Sequence, residues 1–129
     1  MAGLLDEPVS EKLMDQFQSP RNAVDLDDAD AVGEAGSSDS PPFMVVKIRT
    51  DEGVVRAVSF RTFGCGVSIA CGSALGELVK GRLLADCGTI STEDIVEALD
   101  GIPEEKRSCA DLAVQALRSA LAMAKESAP

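Results

Sequence analysis

Apolar positions recur at helical spacing in several stretches of this chain and crowd into strand-like runs in two others. Between Val9 and Gln18, Leu13, Met14 and Phe17 share one helical face, Ser10 is placed to cap the start, and Ser19-Pro20-Arg21-Asn22 stops the run. Phe43–Arg49 and Val54–Phe63 predict two strands, and Asp51-Glu52-Gly53 between them predicts a hairpin. In the second strand, strict alternation puts Val54, Val58 and Phe60 on one face with Arg56 and Thr62. It puts Val55, Ala57 and Phe63 on the other with Ser59 and Arg61.

Three helices are predicted after the hairpin. The first runs from Ser68 to Val79, with Cys71, Leu75, Leu78 and Val79 as its apolar stripe and Lys80-Gly81 as its end. The second runs from Ser91 to Leu99, opens on the capping-box pattern Ser91-Thr92-Glu93-Asp94, and stops at Asp100-Gly101-Ile102-Pro103. The third runs from about Cys109 to Lys125. Ser108 is its expected N-cap, and Ala113, Leu117, Ala120, Leu121 and Ala124 are its buried stripe. Cys87-Gly88 reads as a turn. The stretch from about 25 to 42 carries Asp25, Asp27, Asp28, Asp30 and Glu34, then Gly36, Ser37, Asp39, Ser40, Pro41 and Pro42, and reads as an acidic loop.

Composition narrows this picture. At 129 residues and 13.4 kDa, the expectation is a single domain over 1–129. With 3% aromatics and no Trp or Tyr, its core must be aliphatic. The net charge of -10 argues against nucleic acid and anionic membrane as partners, and suits a basic protein surface. No apolar run approaches the roughly 20 residues that span a bilayer. The acidic opening Met1-Ala2-Gly3-Leu4-Leu5-Asp6-Glu7 lacks the basic start of a secretory signal, so a cytoplasmic location is expected. In a reducing compartment four cysteines bind metal, carry sulfur or pack.

The absence of histidine excludes His-based triads, no Cys-x-x-Cys pair is present, and no Gly-rich phosphate loop precedes a helix. What remains is thiolate chemistry. Cys65 lies between Gly64 and Gly66 at a strand end, where a tight turn aims backbone N–H groups at a thiolate; the same position also suits a buried structural cysteine. Cys109 is expected in the first turn of the last helix, where free N–H groups and the helix dipole favour the thiolate, with Lys106 and Arg107 just upstream. Cys71 sits in an apolar stripe and reads as a core thiol. Cys87 reads as incidental.

Together these motifs resemble the U-type iron–sulfur cluster scaffold family, the IscU/NifU/SufU group. Ser10 to Phe17 followed by Ser19-Pro20-Arg21-Asn22 is similar to the family's opening helix and its stop. Val32 to Ser37 resembles the segment before the family's first cysteine. Phe60-Arg61-Thr62-Phe63-Gly64-Cys65-Gly66 matches the second-cysteine motif, and Val79-Lys80-Gly81 the following helix end. Ile102-Pro103-Glu104-Glu105-Lys106-Arg107-Ser108-Cys109 matches the spacing around the third.

The resemblance implies an α+β fold, with a small antiparallel sheet packed with helices on one side. It implies a non-enzymatic scaffold or carrier that accepts sulfur and iron for a [2Fe–2S] cluster. The alternatives are a persulfide acceptor, zinc-dependent in one branch of the family, and a desulfurase-binding adaptor. Implied partners are a cysteine desulfurase, recipient apo-proteins, and an Hsp70-type chaperone docking at Pro103 and Lys106. Cys65 and Cys109 carry over as sulfur acceptors and metal ligands. The family's Cys-Gly-Asp segment is Ser40-Pro41-Pro42 here, an offset of one puts Asp39 at the cysteine position, and the family's histidine is Ser108. The chaperone motif has Glu104 where the family has a second proline. Asp39, Ser40 and Cys71 are the remaining candidate donors, and a homodimer sharing one cluster is the expected way to complete the ligand set.

Overall fold

The structure is a computed structural model that describes residues 9–23, 25–37, 39, 42–64 and 66–127. The first helix, α1 (Glu11–Gln18), is capped by Ser10, whose Oγ accepts the Leu13 N–H at 3.0 Å. Three strands follow: β1 (Ala31–Gly36), β2 (Phe43–Asp51) and β3 (Val54–Phe63), paired antiparallel in the order β1-β2-β3. The helices α2 (Gly66–Val79), α3 (Thr92–Ala98) and α4 (Arg107–Ser127) complete the order, with 3₁₀ turns at Leu84–Thr89 and Glu104–Lys106.

The hairpin forms where the sequence places it. Glu52 and Gly53 both have positive φ, 53° and 77°, as a tight two-residue turn between twisted strands requires. Alternation in β2 buries Met44, Val46 and Ile48 against the helices. In β3 the alternation is broken. Ala57 pairs with Arg49 and Val55 with Thr50, which leaves Arg56 as an extra residue in a bulge. Val55 and Val58 therefore both face the core, whereas strict alternation put them on opposite faces.

The acidic stretch is not one loop. Ala31–Gly36 pairs with β2 along its length, from Ala31↔Ile48 to Gly36↔Phe43. Its inward positions are Ala31, Gly33 and Ala35, because α4 lies very close: a Cβ on Gly33 would sit 2.2 Å from both the Ala116 carbonyl oxygen and the Ala120 nitrogen. The preceding aspartates are tied to the sheet's outer side. Asp25 pairs with Lys47 at 2.8 Å and Asp28 with Arg49 at 3.5 Å, while the Asp30 carboxylate accepts from the Thr50 N–H and hydroxyl.

The core lies between the sheet and α1, α2, α3 and α4, filled by Leu13, Leu75, Val79, Ile95, Leu99 and Leu117 with the strand residues. It is aliphatic, as composition requires; Phe60 is its one fully aromatic contribution among the buried residues. α3 carries the expected capping box, with Ser91 and Asp94 satisfying each other's backbone N–H groups. Cys87, read as an incidental turn residue, is fully buried within its 3₁₀ turn.

Candidate functional site

Three chain segments that carry the candidate donors converge on one end of the sheet. The first is the β1–β2 connection. The Ser37 N–H donates to the Pro42 carbonyl at 3.4 Å, and the Asp39 N–H donates to Ser37 Oγ at 3.2 Å. Asp39 is exposed in this connection; Ser40 lies outside the described residues.

The second segment is the β3–α2 junction. Phe63 ends β3 opposite Phe43, with their rings stacked at a centroid separation of 6.1 Å. Phe63 is half exposed, so this aromatic pair forms a rim. A Cβ on Gly64 would lie 3.0 Å from Ser68 Oγ and 3.6 Å from the Pro42 Cβ, so the junction touches the base of the first segment. Cys65 lies outside the described residues. Gly66 opens α2.

The third segment is the start of α4. Its register on β1 is set by three contacts. The Val32 N–H meets Met123 Sδ at 3.2 Å, the Gly33 backbone meets Ala116 and Ala120, and the Glu34 N–H meets Ser119 Oγ at 3.3 Å. Two residues along the strand correspond to four back along the helix, so the two elements run antiparallel. At roughly 3.3 Å per strand residue and 1.5 Å per helix residue, the turn containing Cys109 falls level with the Ser37–Pro42 connection.

The helix start differs in detail from the sequence expectation. Ser108 is not the N-cap. A 3₁₀ turn over Glu104–Lys106, begun by the Lys106 N–H on the Pro103 carbonyl, runs straight into α4, which starts at Arg107. Cys109 is thus the third helical residue, still in the first turn, and nearly buried. Ser108, which stands where the family has histidine, is exposed. Arg107 is committed to an ion pair with Glu93, so its charge is largely neutralised by that carboxylate instead of being held for the thiol. Of the two upstream cations, Arg107 is thus engaged by Glu93, and Cys109 keeps its expected place at the helix start.

Cys71 is fully buried in α2, in the cluster with Val67, Ala74 and Leu75. Burial pushes the Cys87 thiol above its ordinary pKa. Pro103 and Lys106 are half-buried on the connection before α4. Among the described residues no group of three or more Cys, Asp or Glu side chains gathers as a metal site would. None of their helices is long and apolar enough to cross a membrane.

The chain has clear relatives. The iron–sulfur cluster assembly scaffold protein IscU 1 of Archaeoglobus fulgidus is 37% identical over 112 residues, which cover 87% of this chain and 73% of that protein. The IscU scaffold protein of Haemophilus influenzae is 36% identical over 117 residues, covering 88% and 92%. The fold matches the crystal structure of a NifU-like N-terminal protein from Brucella abortus, with a TM-score of 0.71 at 14% identity over 92% of this chain and 94% of that one. It also matches the crystal structure of a protein from Fervidobacterium islandicum described as an iron–sulfur cluster assembly scaffold for the SUF system, with a TM-score of 0.69 at 18% identity over 87% of this chain and 95% of that one. Residues 9–128 match the NifU-like N terminal domain, and the chain belongs to that family.

Proposed function

We propose that this chain is an iron–sulfur cluster assembly scaffold whose sulfur and iron cargo is held by Cys65 and Cys109. The observation that carries this reading is the family match over 9–128 in a chain that keeps two of the family's cysteines, each next to a helix start. The scaffold holds and passes on atoms; it needs no turnover chemistry of its own.

Sulfur enters by thiol exchange. The Cys109 or Cys65 thiolate attacks the outer sulfur of a desulfurase cysteine persulfide. A new S–S bond forms, the donor's S–S bond breaks, and the donor leaves as a thiolate, with no net change in oxidation level. A helix terminus lowers the cost of the attacking thiolate. Each persulfide S–S bond is then cleaved by two electrons, drawn from ferrous iron and an external thiol reductant, which returns the cysteine thiolate and leaves sulfide; iron binds that sulfide and the thiolates. A [2Fe–2S] cluster ordinarily takes four protein ligands, mostly thiolates. One chain supplies two cysteines, and the oxygens of Asp39, Ser40 or Ser108 are hard donors that suit iron–sulfur clusters poorly. Two chains, each giving Cys65 and Cys109, complete the set. Recipient apo-proteins then take the cluster from a labile dimer. The cysteine desulfurase is the partner this chemistry requires. The chaperone role of Pro103 and Lys106 is weakened by Glu104 between them. The work is cytoplasmic in this reading.

Anaerobic reconstitution with ferrous iron, cysteine, a dithiol reductant and a desulfurase tests it. We expect the absorption of a [2Fe–2S] chromophore at about half a cluster per chain, lost in both Cys65→Ser and Cys109→Ser. Metal analysis in the same samples separates iron from zinc, which two thiolates would also bind without colour. A chain that takes sulfur but retains no iron would instead be a persulfide acceptor.

A further inference from the structure

Between the 3₁₀ turn Leu84–Thr89 and the C-terminal half of α4 lies an apolar groove of about 670 Å³. Leu83 and Leu84 line one side, Leu121 and Ala122 the other, with Gly88 and Arg118 among the remaining lining residues.

The first wall is fixed. A β-bridge joins Leu83 to Val54, the Val55 N–H donates to the Arg82 carbonyl at 2.9 Å, and the Leu84 N–H donates to the Gly53 carbonyl at 2.7 Å. Leu83 is nonetheless 52% exposed, an apolar side chain held in water by an ordered backbone. Gly88 has no positive φ, and a Cβ built on it would meet nothing within 4 Å. Neither backbone conformation nor packing requires glycine there, and the missing side chain leaves the groove open.

Charge selects the occupant. Among the described lining residues Arg118 is the one cation and there is no carboxylate, in a chain with 22 acidic and 12 basic residues. Arg118 makes no hydrogen bond or ion pair among the described residues. A preformed apolar trough whose described lining holds one guanidinium, with no ion-pair partner among the described residues, has the chemistry of a small-molecule site for an apolar anion.

We propose that this groove binds a small aliphatic carboxylate, its chain against Leu83, Leu84 and Leu121 and its carboxylate on Arg118. The groove centres about twelve residues beyond Cys109 on α4, roughly 18 Å along the helix axis, so it is separate from the thiolate end.

Decanoate, kept below micelle-forming concentration, is titrated into the whole chain and followed by backbone amide chemical shifts. We expect saturable shifts confined to residues 83–88 and 118–124, at one ligand per chain. Decanol should bind about tenfold more weakly, and Arg118→Gln should erase that difference. Gly88→Leu, which fills the groove, should abolish the shifts. If that variant misfolds, Ala122→Asp, at an exposed position, places a repelling carboxylate in the groove and should weaken binding as much. Equal binding of decanol and decanoate, or shifts that survive both Arg118→Gln and Ala122→Asp, overturn the proposal. So does a ligand-free dimer that Leu83→Asp disperses, which would assign the groove to a second copy.

Discussion

Cys109 and Cys71 show how differently one side chain is used at two helical positions. Both are buried, but Cys109 lies in the first turn of α4, where backbone N–H groups lack intrahelical partners, and Cys71 lies deeper in α2 among Val67, Ala74 and Leu75. We expect Cys109→Ser to reduce persulfide uptake and Cys65→Ser with Cys109→Ser to abolish it, measured by mass after incubation with a loaded desulfurase. Cys71→Ala should leave uptake intact and cost about 1–2 kcal/mol of stability in urea denaturation. Iron loss in a folded Cys71→Ala protein would make Cys71 a ligand. The third buried thiol, Cys87, is held protonated above its ordinary range by desolvation. Below the ordinary thiol pKa, both folded and unfolded chains keep the proton, and that contribution is fully present. As pH rises past it, the unfolded chain ionises first and stability falls until the folded pKa is passed. Cys87→Ala should flatten this alkaline limb, measured as Tm against pH. The helix-start context of Cys109 was legible in the sequence. The true start was not, because Ser108 looks like a cap and nothing local announces that Pro103 seeds a 3₁₀ turn that runs into α4.

At the scale of elements, β1 is the strand that the sequence hid. Ala31-Val32-Gly33-Glu34-Ala35-Gly36 has the period of a strand but not its usual residues, because the helix that covers it comes within backbone contact at Gly33. The usable signal was small residues at every second position, and two glycines with an acidic surround obscured it. Gly33→Ala forces a Cβ against main-chain atoms of Ala116 and Ala120, which cannot rotate away. We expect a loss of about 2–3 kcal/mol, read as a fall in Tm. An unchanged Tm would mean that α4 and β1 are not packed as described. β2 and β3 were legible almost to the residue, since their apolar density and the Asp51-Glu52-Gly53 turn are local facts. The bulge at Arg56 was not, because register is decided by pairing across strands. The aspartates before β1 act as a strap on the outer sheet face. The Asp25 carboxyl is held below its usual range by its hydrogen bond to Lys47, and Asp30 by the Thr50 N–H. Both contributions are present above the ordinary Asp pKa and are lost as pH falls through the lowered values. Asp30→Asn should therefore reduce the acid sensitivity of folding below about pH 4, measured by circular dichroism against pH.

For the whole molecule, the sequence conveyed the family and the α+β architecture because the motifs around Pro20, Cys65 and Cys109 keep both order and spacing. It did not convey that the β1–β2 connection, the β3–α2 junction and the start of α4 lie toward one end of the sheet. The strand–helix register that brings them to one end is a long-range fact. What sets this chain apart is chemical. In the proposed reading Ser40 (or, with an offset of one, Asp39) and Ser108 stand where the resemblance puts cysteine and histidine, which would leave a single chain short of ligands. Ser40→Cys with Ser108→His should raise the iron retained and shift the loaded form toward monomer. The most direct measurement is native mass spectrometry of the anaerobically reconstituted, unmodified chain. The account gives a species of two chains carrying two iron and two sulfide, beside apo monomer. A stoichiometric cluster on the monomer, or apo protein alone after full reconstitution, would contradict it.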